Sequence, residues 1–192
     1  LLRADRFLRD DTRLAPGRNE ESYAQAFRLH WFARTKDVAA LRPVVARLAA
    51  MQDRDGHWPH EYQNPFSTAV VVHALTLARR AGAEVPDPLL RRAADALLAT
   101  RGDLGRQAYR VGEPPDPEKN SMSRTALCEL AIYEGGRGPL GNVEQGLADY
   151  WKHVERLEAV RLCDYHSDGR LAGFFYFHAG FHTLEAAKAV GG

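Results

Sequence analysis

Apolar positions recur along this chain at intervals of three and four, and the segments that carry them fall into two alternating kinds. Leu41, Val44, Val45, Leu48 and Met51 make one stripe opposed by Arg42, Arg47 and Gln52, which predicts a half-exposed, outer helix over 36–53. The next segment, 66–80, is apolar nearly all round, with Ala69, Val70, Val71, Val72, Ala74, Leu75, Leu77 and Ala78. A helix without a wet face is buried on all sides, so this one belongs to an inner layer. Between the two lies Asp53-Arg54-Asp55-Gly56, a turn in which the glycine takes a backbone conformation closed to other residues, followed by Trp58. Pro59 and Pro65 keep the chain extended, Ser67 or Thr68 is the expected helix cap, and Gly82 ends the helix.

The same alternation covers the rest of the sequence. Outer helices are expected over 1–8, over 87–100 with Asp87 as cap and Pro88 in the first turn, and over 140–160 with Leu147, Tyr150, Trp151, Val154 and Leu157. Inner helices are expected over 22–35, over 121–133 and over 174–190. Loops occupy 10–17, 113–119, where three prolines in four positions exclude helix, and 163–173. The turn recurs at Arg101-Gly102-Asp103-Leu104-Gly105, with Tyr109 roughly in the place of Trp58. Gly82, Gly136 and Gly192 close successive inner helices at a spacing of about 55 residues, the signature of a helical-hairpin array. The expectation is a single all-α domain over 1–192 built from four hairpin repeats.

Composition narrows the function classes. The 192 residues carry 45% hydrophobic content and a net charge of +1, enough for a sizeable core and without the basic excess that nucleic acid or an anionic membrane would call for. No apolar run is long enough to span a bilayer. Cys128 and Cys163 are too few for a disulfide framework, which favours a reducing, cytoplasmic setting. The chain opens without Met, on LLRADRFLRDD, as a processed form or a piece of a longer chain would.

Leu48, Gln52, Asp55, Gly56 and Trp58 together resemble the QW-type turn of squalene-hopene cyclases, and the hairpin period is similar to the prenyltransferase and squalene-oxidase repeats that build an α/α toroid. The resemblance implies inner helices around a central cavity that takes an apolar, isoprenoid-like ligand. Four inner helices are fewer than such rings usually hold, so it implies an incomplete ring whose exposed apolar edge is covered by missing repeats or another subunit. The acid motif of the cyclases is not matched by Arg9-Asp10-Asp11-Thr12. His178 is similar to the zinc-binding His of prenyltransferase β subunits, but 120–123 has neither the Asp nor the Cys of that site.

The candidate chemistry gathers in the loops ahead of the inner helices, which a toroid brings to one rim. This predicts His57, His60 and Tyr62 near Tyr109, Arg110, 121–124 and 164–182. Arg124 can meet an anionic group in the cavity, or pair with Glu129 or a rim carboxylate. Phe174, Phe175, Tyr176, Phe177 and Phe181 can line a cavity, Phe177 and Phe181 being the candidates, or wedge hairpins together. Trp58 reads as a packing anchor and His73 as a hydrogen-bonded core residue. His178 and His182, four apart on a helix, share a face, and with Asp164, His166 and Asp168 they would suit Zn²⁺. Two functions of different class follow: a cyclase- or prenyltransferase-like toroid with an apolar small-molecule ligand, or a non-catalytic helical-repeat scaffold that binds a peptide or protein partner. A polysaccharide lyase-like α/α barrel using His57, His60 and Tyr62 is a third.

Overall fold

Eight α-helices supply most of the structure in the computed structural model, which describes residues 2–10, 17, 20–115, 121–163 and 173–191. They are α1 (Leu2–Arg9), α2 (Glu21–Arg34), α3 (Val38–Met51), α4 (Pro65–Arg80), α5 (Asp87–Ala99), α6 (Thr125–Glu134), α7 (Gly141–Ala159) and α8 (Gly173–Gly191). Among the described residues the only β pairing is two isolated bridges, His60 with Tyr62 and Arg101 with Gln107. No helix of the described residues is long and apolar enough to cross a membrane.

The even-numbered helices form the inner layer. α2 packs on α4, α4 on α6 and α6 on α8, while α3 lies over α2 and α4, α5 over α4 and α6, and α7 over α6 and α8. The sequence dictates this order because α4 and α6 have no polar stripe. Every residue of α4 from Pro65 to Thr76 is buried, and so is every residue of α6 from Thr125 to Ile132. The outer α5 buries only Leu89, Leu90, Ala93, Ala94, Ala96 and Leu97, leaving its arginines in water. One large core runs from α2 through α6 and reaches Val143 of α7 and Ala186 of α8, and a smaller one of Tyr150, Leu157, Phe175 and Ala179 joins α7 to α8. Exposed apolar side chains collect on α1, at Leu2 and Phe7, and on α8, at Phe177, Phe181 and Leu184.

The turn between α3 and α4 is held by side chains that replace its missing backbone bonds. Gln52 donates from Nε2 to the carbonyls of Gly56 and Leu89, each at 3.0 Å, which ties the turn to α5. Asp53 accepts from the N–H groups of Asp55 and His57 at 3.0 and 2.8 Å. Trp58 is fully buried and donates from its indole N–H to the Leu48 carbonyl at 2.7 Å, closing the turn on the end of α3. In the next repeat the same bond is made by Gln107, whose Nε2 donates to the Leu97 carbonyl at 2.9 Å. Gln107, not Tyr109, therefore holds the register of Trp58. The match is one of hydrogen-bond geometry and not of aromaticity.

Two caps also differ from expectation. Asn64 caps α4 by accepting from the N–H groups of Phe66 and Ser67, with Pro65 in the first turn. Ser67 and Thr68 turn their hydroxyls back to the Asn64 carbonyl instead. α5 begins at Asp87, with Pro86 in the cap position. At the start of the third inner helix, Ser121–Ser123 winds as a 3₁₀ turn before α6 proper.

Gly56 has φ +96°, and a Cβ there would lie 2.6 Å from the Arg92 carbonyl oxygen of α5. Gly56→Ala is expected to lower stability by about 1 to 3 kcal/mol, through backbone strain and the displaced α5 contact. Denaturant titration checks this, and an unchanged midpoint would show that the turn does not depend on the close approach.

Candidate functional site

The four inner helices bring their first turns to one place. Tyr23 of α2, Phe66 of α4, Arg124 just ahead of α6 and Phe175 of α8 line a pocket of about 200 Å³, completed by His60, Asn64, Tyr109 and His178. Because Tyr23, Phe66, Arg124 and Phe175 stand at or beside the starts of their helices, the positive ends of four helix dipoles lie at the pocket. Tyr23 lies against His60 and His178, with ring centroids 5.3 and 5.6 Å away. Phe66 meets His178 edge to face at 5.2 Å, and Tyr109 meets Phe175 at 6.1 Å.

Among the described residues Arg124 is the one arginine or lysine in this lining, and it is 1% exposed. Its Nη2 donates to the Gln107 carbonyl at 2.9 Å, and its guanidinium lies 5.4 Å from the Tyr109 ring centre. Burial pulls its pKa down to about 10. Burial likewise lowers His178 to about 4, so that its imidazole is neutral at neutral pH, and raises the Tyr23 phenol, which stays protonated. Glu129, the partner that spacing suggested for Arg124, instead accepts from Arg101 Nε at 2.6 Å.

A second, larger cavity of about 530 Å³ opens at the other end of the inner helices. Leu8, Phe27, Trp31, Leu77, Ala81 and Phe181 form its apolar walls, and Arg34, Lys36, Arg80 and Lys188 stand around it with Glu185. A single layer of rings separates the two cavities. His178 sits 5.8 Å from Phe27 and 5.0 Å from His182, which in turn lies 4.9 Å from Phe181. His182 is 1% exposed and neither of its ring nitrogens has a hydrogen-bond partner among the described residues; burial holds its pKa well below the usual value.

The sequence candidates thus divide. His60, Arg124 and His178 line the smaller pocket, and Phe181 lines the larger. His57 is a structural group, buried with Nδ1 3.1 Å from the Thr68 hydroxyl, and burial lowers its pKa. Tyr62 stands behind the pocket, its ring 6.0 Å from Tyr109 and covered by the Arg110 guanidinium at 4.0 Å. Phe177 lines neither cavity. It is 64% exposed, because one residue along a helix is a 100° rotation and His178 takes the inward position. Asp164, His166 and Asp168 lie outside the described residues, and among the described residues no group of three or more His, Cys, Asp or Glu could hold a metal ion.

No family model, curated protein or solved structure matches the chain.

Sequence reasoning missed Tyr23 and His30. Both lie on α2, which the apolar pattern marks as an inner helix without singling out its site residues. The available signal was register: Tyr23 is as close to the start of its inner helix as Phe66 and Phe175 are to theirs. His30 packs 5.5 Å from His73 and is held near pKa 4, first by burial and then by His73.

Proposed function

We propose that this chain is a binding protein of the α/α-toroid type, whose larger cavity takes an isoprenoid-like amphiphile with an anionic end. The observation that supports this reading is the pairing of apolar walls with a cationic rim. A cavity of about 530 Å³ is of the size that encloses small organic ligands, whereas about 200 Å³ is too small for an extended apolar chain. Phe27, Trp31, Leu77 and Phe181 would take the hydrocarbon, and Arg34 and Lys36, which have no ion-pair partner among the described residues, would meet the charge. The incomplete cyclase and prenyltransferase motifs leave binding, not cyclisation or prenyl transfer, as the reading.

Trp31 gives the test a local probe, since Trp58 is fully buried in the turn and Trp151 stands exposed on α7, outside the cavity lining. Titration with a prenyl diphosphate is expected to change Trp31 fluorescence, with affinity about tenfold or more above that of the matching neutral prenol at low salt and falling as salt rises. Phe181→Asp is expected to abolish the change. Equal affinity for the alcohol and the diphosphate, or no response to either, would remove this reading.

A second reading has its own observation. Phe177, Phe181 and Leu184 form an exposed apolar stripe along α8 that suits a helical-repeat scaffold docking a partner's amphipathic helix. Phe177→Ser separates the two readings, because Phe177 lies outside the cavity and its loss would weaken a protein contact without changing ligand affinity.

A further inference from the structure

We propose that the smaller pocket is a second, independent site that binds a small aromatic or unsaturated monocarboxylate. The ligand's charge follows from the lining. Among the described lining residues Arg124 brings one positive charge, and with His178 held neutral by burial these residues match one negative charge better than the two of a phosphate dianion. A guanidinium also offers paired, coplanar N–H donors that fit a carboxylate, and the positive ends of α2, α4, α6 and α8 add to the field at the same point. The depressed pKa of Arg124 points the same way, since an anion brought beside a desolvated guanidinium restores stabilisation that burial removed.

The ligand's body follows from the rings. Tyr23, Phe66, Tyr109 and Phe175 line the space, which suits a flat π system, and a volume of about 200 Å³ admits a molecule of benzoate size but no long chain. The Tyr23 phenol, kept protonated by burial, lines the same pocket and offers the carboxylate a second donor.

The test compares benzoate with benzamide, which keeps the ring and the shape and lacks the charge. Benzoate is expected to raise the melting temperature of the wild-type protein in proportion to the logarithm of its concentration, and benzamide is not. Arg124→Met should weaken benzoate binding about tenfold or more, and Tyr23→Phe by less. Phe181→Asp, which disables the larger cavity, should leave benzoate binding intact, so that failure here and failure of the prenyl diphosphate reading are told apart. Should Arg124→Met not fold, the wild-type comparison with Tyr23→Phe still decides. Equal stabilisation by benzoate and benzamide, no stabilisation by either, or loss of the benzoate effect in Phe181→Asp would each overturn the proposal.

Discussion

Trp58→Ala is expected to destabilise the protein by about 4 kcal/mol, a large fraction of the 5 to 15 kcal/mol that a domain of this kind has in total. The indole is fully buried, so its removal loses the transfer of a large apolar surface and leaves a hole at the junction of α3 and α4. It also strands the Leu48 carbonyl that accepts the indole N–H at 2.7 Å, adding the penalty of a buried acceptor without a donor. Trp58→Phe separates the two contributions, because it keeps most of the ring and loses the donor; its expected cost is about 1 to 3 kcal/mol. Urea unfolding followed by circular dichroism measures both. A Trp58→Ala midpoint equal to that of the wild type would show that the turn is held by Gln52 and Asp53 alone.

Stability is also expected to fall as pH rises through about 9, because of one buried histidine. His73 is 2% exposed, with Nδ1 3.1 Å from Glu134 and Nε2 3.6 Å from Glu185. Burial by itself would drive its proton off, but the two carboxylates more than reverse that and raise its pKa from 6.5 to about 9. A group that holds its proton more tightly in the fold than in the unfolded chain stabilises fully below its unfolded pKa and ceases to do so above its folded one. The surrounding charges are Arg80, 3.5 Å from Glu134, and Lys188, 2.6 Å from Glu185; His30, near pKa 4, stays neutral. At the acid end the pairing with His73 holds Glu185 at about 2, so its contribution is present above its ordinary value of 4.5 and is lost toward that lower pH. His73→Phe is expected to cost about 3 kcal/mol at neutral pH, since it leaves Glu134 buried beside Arg80 alone, and to remove the alkaline decline. Denaturant unfolding at several pH values checks both effects, and a decline of equal size in His73→Phe would assign it to other groups.

The alternation of half-polar and wholly apolar segments was enough to read the layers, because α4 and α6 have no face that water could occupy. Helix ends and turn equivalences were harder to read. Asn64 outcompetes Ser67 and Thr68 as a cap because its side chain reaches the free N–H groups just after Pro65, and the Gln107 bond to Leu97 mimics that of Trp58 with different chemistry. His73 read as a bonded core residue, but its partners lie on α6 and α8, far along the chain, and no local pattern announces such a triad. Of the alternatives open for Arg124, pairing with Glu129 could not be judged from spacing for the same reason, since Arg101 reaches that carboxylate from a different turn. Convergence of loops on one rim was legible from the repeat. Which of two neighbouring rings, Phe177 or His178, turns inward was not, because that depends on the rotation of α8 against α7.

The enclosure of α4 fixes where the molecule's slowest amide protons lie. With α2, α3, α5 and α6 packed around it and no exposed residue from Pro65 to Thr76, no partial opening brings its backbone to solvent. Deuterium reaches those amides only when the whole layer comes apart, so their exchange reads the global unfolding free energy. α1, which buries no residue, exchanges by fraying alone, and the two helices mark the ends of a single scale of protection within one chain.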